Sequence, residues 1–345
     1  MRRIFVLFII FLLAVPVGAL EFTAPDVPQS ALQYMPDTTD NFGEGLWTIL
    51  QKVIHTIKPS FDEATKVCLS LIAISLLTGL LGDLTGTAKR IVDCVCTAVV
   101  GIVLLQPFRS LIRLGTDTIQ QVSQYGKLIL PVMTAALAAE GSIARSGVLY
   151  AATAFFDAIL STAISDVLIP LVYFFLCISV SCRVSGQKML KDMHKFLKWL
   201  PTWGLKTILY LFTGYISITG VVAGSTDAAM LKATKLTISG MVPVVGNILS
   251  DASEAVLVSA GMMKNSVGVY GLLAVIAIWI GPFVEIGVQY VMLKLTAGIC
   301  GMLAPKQSTE LINDFSTAMG LVLGMTGAVC LIFLISIICF LKGVT

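Results

Sequence analysis

The chain carries long apolar runs at residues 65–82, 91–107, 148–182, 207–223, 267–286 and 319–341. Most are near the roughly 20 residues that a helix needs to cross about 30 Å of hydrocarbon. Lipid supplies no water to bond backbone N–H and C=O groups, so such a run must be helical, with its backbone bonds closed inside the segment. Hydrophobic residues make up 57% of the chain and charged ones only 12%, with a mean hydropathy of +0.92; soluble domains carry about 25% charged residues. Too little polar surface is available to cover the apolar side chains. The fold class is therefore all-α, a polytopic transmembrane helical bundle. The run at 148–182 is long enough for a helical hairpin and splits near Ser165–Asp166, into 148–165 and 167–182. Weaker runs at 128–139 and 287–303 suit partial, tilted or re-entrant segments. About seven to eight spans result, within a range of six to nine.

The N-terminus has the pattern of a signal peptide: Arg2 and Arg3, an apolar stretch from Ile4 to Val15, Pro16, then Val17-Gly18-Ala19 with small residues at the cleavage site. Cleavage after Ala19 is expected, an uncleaved first anchor being the other option. Residues 20–64 then form an acidic extracytoplasmic segment, with Glu21, Asp26, Asp37, Asp40, Glu44 and Asp62 against Lys52 and Lys58. Within it Phe42, Leu46, Ile49, Leu50, Val53 and Ile57 share one helical face, which predicts an amphipathic helix before the first span. Residues 65–345 form a single multi-span membrane domain. The loop at 183–206 holds Arg183, Lys188, Lys191, Lys195, Lys198 and Lys206 against a single Asp192, so it belongs in the cytoplasm. Its apolar positions recur at helical spacing with the lysines on another face, the pattern of an interfacial helix, and Trp199 and Trp203 sit where an aromatic belt is expected. Residues 110–124 read as a weaker surface helix between spans.

Several chemistries find no support. The net charge of +3 is small and its basic residues lie beside apolar runs, which argues against nucleic acid as a partner. No phosphate loop, nucleophile elbow or H-E-x-x-H pair occurs. The cysteines Cys68, Cys94, Cys96, Cys177, Cys182, Cys300, Cys330 and Cys339 all fall in or at the ends of apolar runs and read as small buried hydrophobes, with no metal-ligand spacing. His55 and His194 are expected on opposite sides of the membrane. Asp93, Asp157 and Asp166 lack any motif of an intramembrane aspartyl protease. No catalytic, metal or cofactor site is expected, and the chain reads as a non-enzyme. Charged side chains inside spans are costly and mark cavities or interhelical contacts; Asp93, Glu140, Asp157, Glu285 and Lys294 qualify. Glu285 and Gln289 share a face, with Lys294 about a turn on, which reads as a polar path or interhelical lock, or as a span end near headgroups.

The most unusual stretch is 240–271, GMVPVVGNILSDASEAVLVSAGMMKNSVGVYG. Its small and polar residues suit a re-entrant or broken-helix element, or an extracytoplasmic amphipathic hairpin. Gly320 and Gly324 form a G-x-x-x-G in the last run, favouring close helix contact. Through Pro243-Val244-Val245-Gly246, Ser250, Glu254, Lys264-Asn265, Gly268 and Gly271, the stretch resembles the stage III sporulation protein AE family. The signal sequence, acidic start, basic central loop and multi-span C-terminal half agree with it.

That resemblance implies a membrane subunit of the channel or secretion-like complex joining mother cell and forespore, located in the mother-cell membrane around the forespore. The implied partners are the other stage III sporulation A-operon membrane proteins, their ATPase subunit and a forespore-side protein. A stand-alone secondary transporter is the alternative, motivated by the broken-helix reading and by Glu285 and Lys294.

Overall fold

The computed structural model describes residues 25–36, 42–84, 88–139, 143–185, 187–218, 266–303 and 305–342. In chain order they form α1 (Gln29–Leu32), α2 (Phe42–Leu84), α3 (Lys89–Ala139), α4 (Ile143–Thr162), a π-helical turn (Ala163–Leu168), α5 (Ile169–Ser185), α6 (Lys188–Ile218), α7 (Ser266–Leu303) and α8 (Lys306–Lys342). The fold is all-helical in these residues. Among the described residues, five stretches are long and apolar enough to cross a membrane: Phe42–Leu81, Ile91–Ala135, Gly147–Ser185, Val267–Met302 and Lys306–Leu341.

Among the described residues, several runs that the sequence presents as separate are joined in one helix. Residues 91–107, 110–124 and 128–139 all lie on α3, which is 51 residues long. The expected surface helix at 110–124 is part of that rod, and its Leu111, Ile112, Ile119 and Val122 are buried. The amphipathic stretch 42–57 runs straight into the apolar run 65–82 as α2; Phe42, Ile49 and Val53 turn inward, whereas Leu50 and Ile57 are exposed. The runs 267–286 and 287–303 are both α7. At 148–182 there is no reversal of the chain. Thr162 (φ −64°, ψ −48°) and Ile169 (φ −66°, ψ −48°), on either side of the π turn, both keep helical backbone. Pro170 explains the turn: it has no N–H to donate, and in a regular helix its ring would collide with the carbonyl of Asp166, one turn earlier. Widening that turn keeps the helix going. The basic stretch after Arg183 is also helical, as α6, which continues to Ile218. The signal peptide, Glu140, most of the 207–223 run's second half and residues 240–265 lie outside the described residues.

Contacts between helices give the topology. α7 and α8 form an antiparallel pair, with Gly268 on Leu341, Gly320 on Tyr290, and Lys294 bonded to Asn313. α3 runs parallel to α8, through Thr97–Ser308, Phe108–Phe315 and Gly126–Phe333. The α4–α5 rod runs the other way, from Thr153–Ser336 to Arg183–Glu310. α6 folds back along that rod, with His194 on Phe175, Gly204 on Leu168 and Phe212 on Phe156. α2 packs on α7 at Gly45–Leu273.

Burial follows hydropathy in an instructive way. α8, which holds the most apolar window of the five, has 94% of that window buried inside the protein, against 28% for the windows of α2 and α3. A helix that is apolar all round belongs in the centre of a bundle. α7 and α8 form that centre, and the outer helices turn Leu77, Leu80, Ile91, Ile102, Phe155 and Phe174 outward, as helices facing lipid must. The helices approach closely where side chains are smallest. A Cβ on Gly126 would lie 1.9 Å from Cε1 of Phe333, and one on Gly268 would lie 2.1 Å from Cδ2 of Leu341.

Gly126→Ala should therefore overpack the α3–α8 contact and cost about 1–3 kcal/mol, lowering the thermal midpoint of the detergent-solubilised protein. Gly147→Ala, whose new Cβ meets nothing within 4 Å, should leave the midpoint close to wild type in the same measurement.

Candidate functional site

Of the residues singled out in the sequence, Pro243, Gly246, Ser250, Glu254, Lys264 and Asn265 lie outside the described residues. Gly268 and Gly271 are in the first turns of α7, where they admit Leu341 and Ile129; both serve close packing. Glu285 is half-buried further along α7, Gln289 is buried with its Nε2 unbonded, and Lys294 donates from Nζ to Asn313 Oδ1 at 2.6 Å. Lys294 thus bonds α7 to α8 at an exposed position, and no bond joins it to Glu285. Asp157 is buried and accepts a 2.8 Å bond from Ser123 Oγ. Ser123 is roughly 45 Å along α3 from Asp93 at the helical rise per residue, so those aspartates cannot form a pair. Asp166 is exposed on the π turn.

The densest polar assembly lies where α5 ends and α6 and α8 begin. Arg183, in the last turn of α5, donates from Nε (3.1 Å) and Nη2 (2.8 Å) to Asp314 Oδ2, and from Nη1 to Glu310 Oε2. Glu310 and Asp314 are one turn apart on α8 and so share a face. His194 of α6 brings Nε2 within 3.0 Å of the same Asp314 oxygen without completing a hydrogen bond, and stacks on Phe175 with centroids 5.1 Å apart. One carboxylate therefore ties three helices. Its side chain is only 3% exposed, that of Arg183 16% and that of Glu310 39%.

Beside this network a cleft of about 270 Å³ opens, with Asp93, Cys94, Arg183, Lys191, Lys306 and Glu310 in its wall. Cys94 donates to the carbonyl of Val184 at 3.4 Å, closing α3 onto α5. Asp93 Oδ1 is buried without a partner. Among the described residues no group of His, Cys, Asp and Glu converges as metal ligands. Of the cysteines, Cys68, Cys182, Cys300, Cys330 and Cys339 are buried as expected, Cys94 and Cys96 are half-buried and Cys177 is exposed. The chemistry available in this assembly is binding and locking of charged groups.

Sequence reasoning missed this assembly. It treated Arg183 as a topology signal and passed over Glu310 and Asp314. The available clue was their spacing: three charges, Lys306, Glu310 and Asp314, stand one turn apart at the head of a helix that continues into a long apolar run, where unpaired acids would be costly.

The chain matches the family described as stage III sporulation protein AE over residues 30–343. It is similar to the stage III sporulation protein AE of Bacillus subtilis (strain 168), with 23% identity over 251 residues, 73% of this chain. It spans 63% of that relative's length. No solved structure matches.

Breaking a buried ion pair from one side costs about 3 kcal/mol or more, whereas a partly exposed pair contributes about 1 kcal/mol or less. Arg183→Met should therefore lower the thermal midpoint in detergent strongly, since it strands Asp314, and Glu310→Gln should lower it only slightly.

Proposed function

The chain belongs to the stage III sporulation protein AE family, and from that premise we propose that it is a non-enzymatic, multi-pass membrane subunit of the channel or secretion-like complex that links mother cell and forespore during endospore formation. The observation that carries the reading is the extent of the family match, residues 30–343, which takes in all five long apolar helices. Its setting is the mother-cell membrane around the forespore. Its partners are the other membrane proteins of the stage III sporulation A operon, an ATPase subunit that supplies the energy, and a forespore-side protein.

The distribution of charge supports an orientation. Arg183, Lys191, Lys195, Lys198, Lys294 and Lys306 lie toward one end of the bundle, which the positive-inside rule assigns to the cytoplasm. α6 ends and α7 begins at the opposite end, beside Phe156 and Leu341. The positions of Ile218 and Ser266 at that end support a reading in which the signature residues Pro243, Gly246, Ser250 and Glu254 face the forespore.

Deleting the gene should arrest development after engulfment and reduce heat-resistant spores to a small fraction of wild type; normal spore yield would refute the proposal. On a background without native cysteines, Gln187→Cys should resist a membrane-impermeant thiol reagent in intact cells while Asn247→Cys reacts. Labelling at position 187 would reverse the orientation.

A further inference from the structure

α6 packs lengthwise on the α4–α5 rod. His194 meets Phe175, Gly204 meets Leu168 and Phe212 meets Phe156, so each step forward along α6 matches a step back along the rod. His194, Pro201, Leu205, Leu209 and Phe212 are buried by that contact. The rest of the circumference carries two open strips.

The first strip is apolar. Met189, Phe196, Trp203 and Tyr210 recur every seven residues, exposed by 73%, 56%, 51% and 46%, and Trp199, exposed by 53%, stands between Phe196 and Trp203. The rings of Phe196, Trp199 and Trp203 follow one another with centroids 6.1 and 5.6 Å apart. Such spacing makes the seam by which one helix packs on another, and this seam is roughly 32 Å long at the helical rise. The second strip is basic. At about 100° per residue, the seam residues fill an arc of about 80° and Lys191, Lys195, Lys198 and Lys206 fill the adjoining one. Among the described residues, none of these four ammonium groups makes an ion pair or a hydrogen bond. Lys198 also repels Lys294 of α7. The acids nearby do not answer this charge: Glu310 and Asp314 are held by Arg183, and Asp192, the one acid on α6, falls in the seam.

The arrangement selects what can cover this face. The four lysines are spread over roughly 22 Å along the axis, beside the rod's apolar run 167–182. Lysines stacked in depth cannot all reach one headgroup layer, and hydrocarbon around them is costly, so lipid does not suit the face. A second copy offering the same face would set lysine against lysine. The complementary surface is a helix with an apolar seam of its own and carboxylates along one border.

We propose that the outer face of α6 docks an acidic amphipathic helix of a partner protein. Its apolar seam lies on Phe196, Trp199 and Trp203, and its carboxylates meet Lys195 and Lys206, with Lys191 and Lys198 adding to the attraction. The inference is independent of the sporulation role.

Full-length protein in nanodiscs of phosphatidylcholine, which has no net charge, is titrated with two fluorescent three-heptad helical peptides. Both carry a leucine seam; one is bordered by glutamate and the other by lysine. By anisotropy, the glutamate peptide should bind, less tightly as salt is raised, and the lysine peptide should not exceed its level on empty nanodiscs. Trp199→Ala with Trp203→Ala should weaken binding by on the order of tenfold or more. Lys195→Glu with Lys206→Glu should lose the glutamate peptide and gain the lysine one, an exchange that a folding defect does not produce. Lys58→Glu, on α2, should leave binding unchanged. Equal binding of the two peptides, binding of neither, or indifference to the paired lysine reversal would overturn the proposal. Quenching by brominated phospholipid that disappears in Trp199→Phe with Trp203→Phe, with neither peptide binding, would give the face to the membrane. A dimer that dissociates in the paired alanine variant would give it to a second copy. Either result would also overturn the proposal.

Discussion

Enclosure of the α7–α8 pair by the other helices is the constraint on which the remaining architecture depends. The most apolar window of α8 is 94% buried inside the protein and that of α7 78%, the charged residues Lys306, Glu310 and Lys294 lying toward one end of the pair. In lipid the hydrophobic effect does not drive such enclosure, because acyl chains are as apolar as leucine. Close packing and interhelical bonds must do it. Hence the glycines at 126, 268 and 271 that admit Phe333, Leu341 and Ile129, and hence the hydroxyl contacts Thr97–Ser308 and Thr153–Ser336, each of which joins an outer helix to α8.

The charged assembly at the basic end obeys a different balance. Replacing a buried ion pair by apolar groups is often neutral for stability, but removing one partner is not. Arg183 satisfies two acids from two directions, so the arrangement fixes how the α4–α5 rod and α8 slide past one another rather than adding much net stability. His194 and Phe175 extend that registration to α6.

The apolar runs reveal the helical class, the membrane setting and the positions of most helices, because the energetics of exposing backbone in lipid are encoded locally. Continuity is harder to read. Nothing in residues 108–127 distinguishes a surface helix from the middle of a long rod, since Arg113 and Asp117 are exposed in either case and the burial of Ile112, Ile119 and Val122 depends on helices far away in sequence. Ser165–Asp166 reads as the break of a hairpin until the turn before Pro170 is seen to widen and carry the helix through. The Arg183 network needed long-range pairing that periodicity cannot supply. Lys294 was legible only as part of a polar path or lock with Glu285 and Gln289, or of a span end near headgroups; its bond to Asn313 is a long-range pairing that periodicity does not reveal.

The length of α3 has a mechanical consequence. At 51 residues it is about 77 Å long, and fitting it into about 30 Å of hydrocarbon would take a tilt of about 67°, well beyond the roughly 40° limit of observed membrane helices. Its exposed Arg113–Asp117 pair, with side chains 81% and 52% accessible, separates the apolar run 91–107 from the run 128–139 on the same helix. Pro107 and Pro131 lie inside α3, where a missing N–H lets a helix bend, and its contacts at Thr97, Phe108 and Gly126 follow α8 along its course, so part of α3 stands beyond the hydrocarbon whatever its tilt.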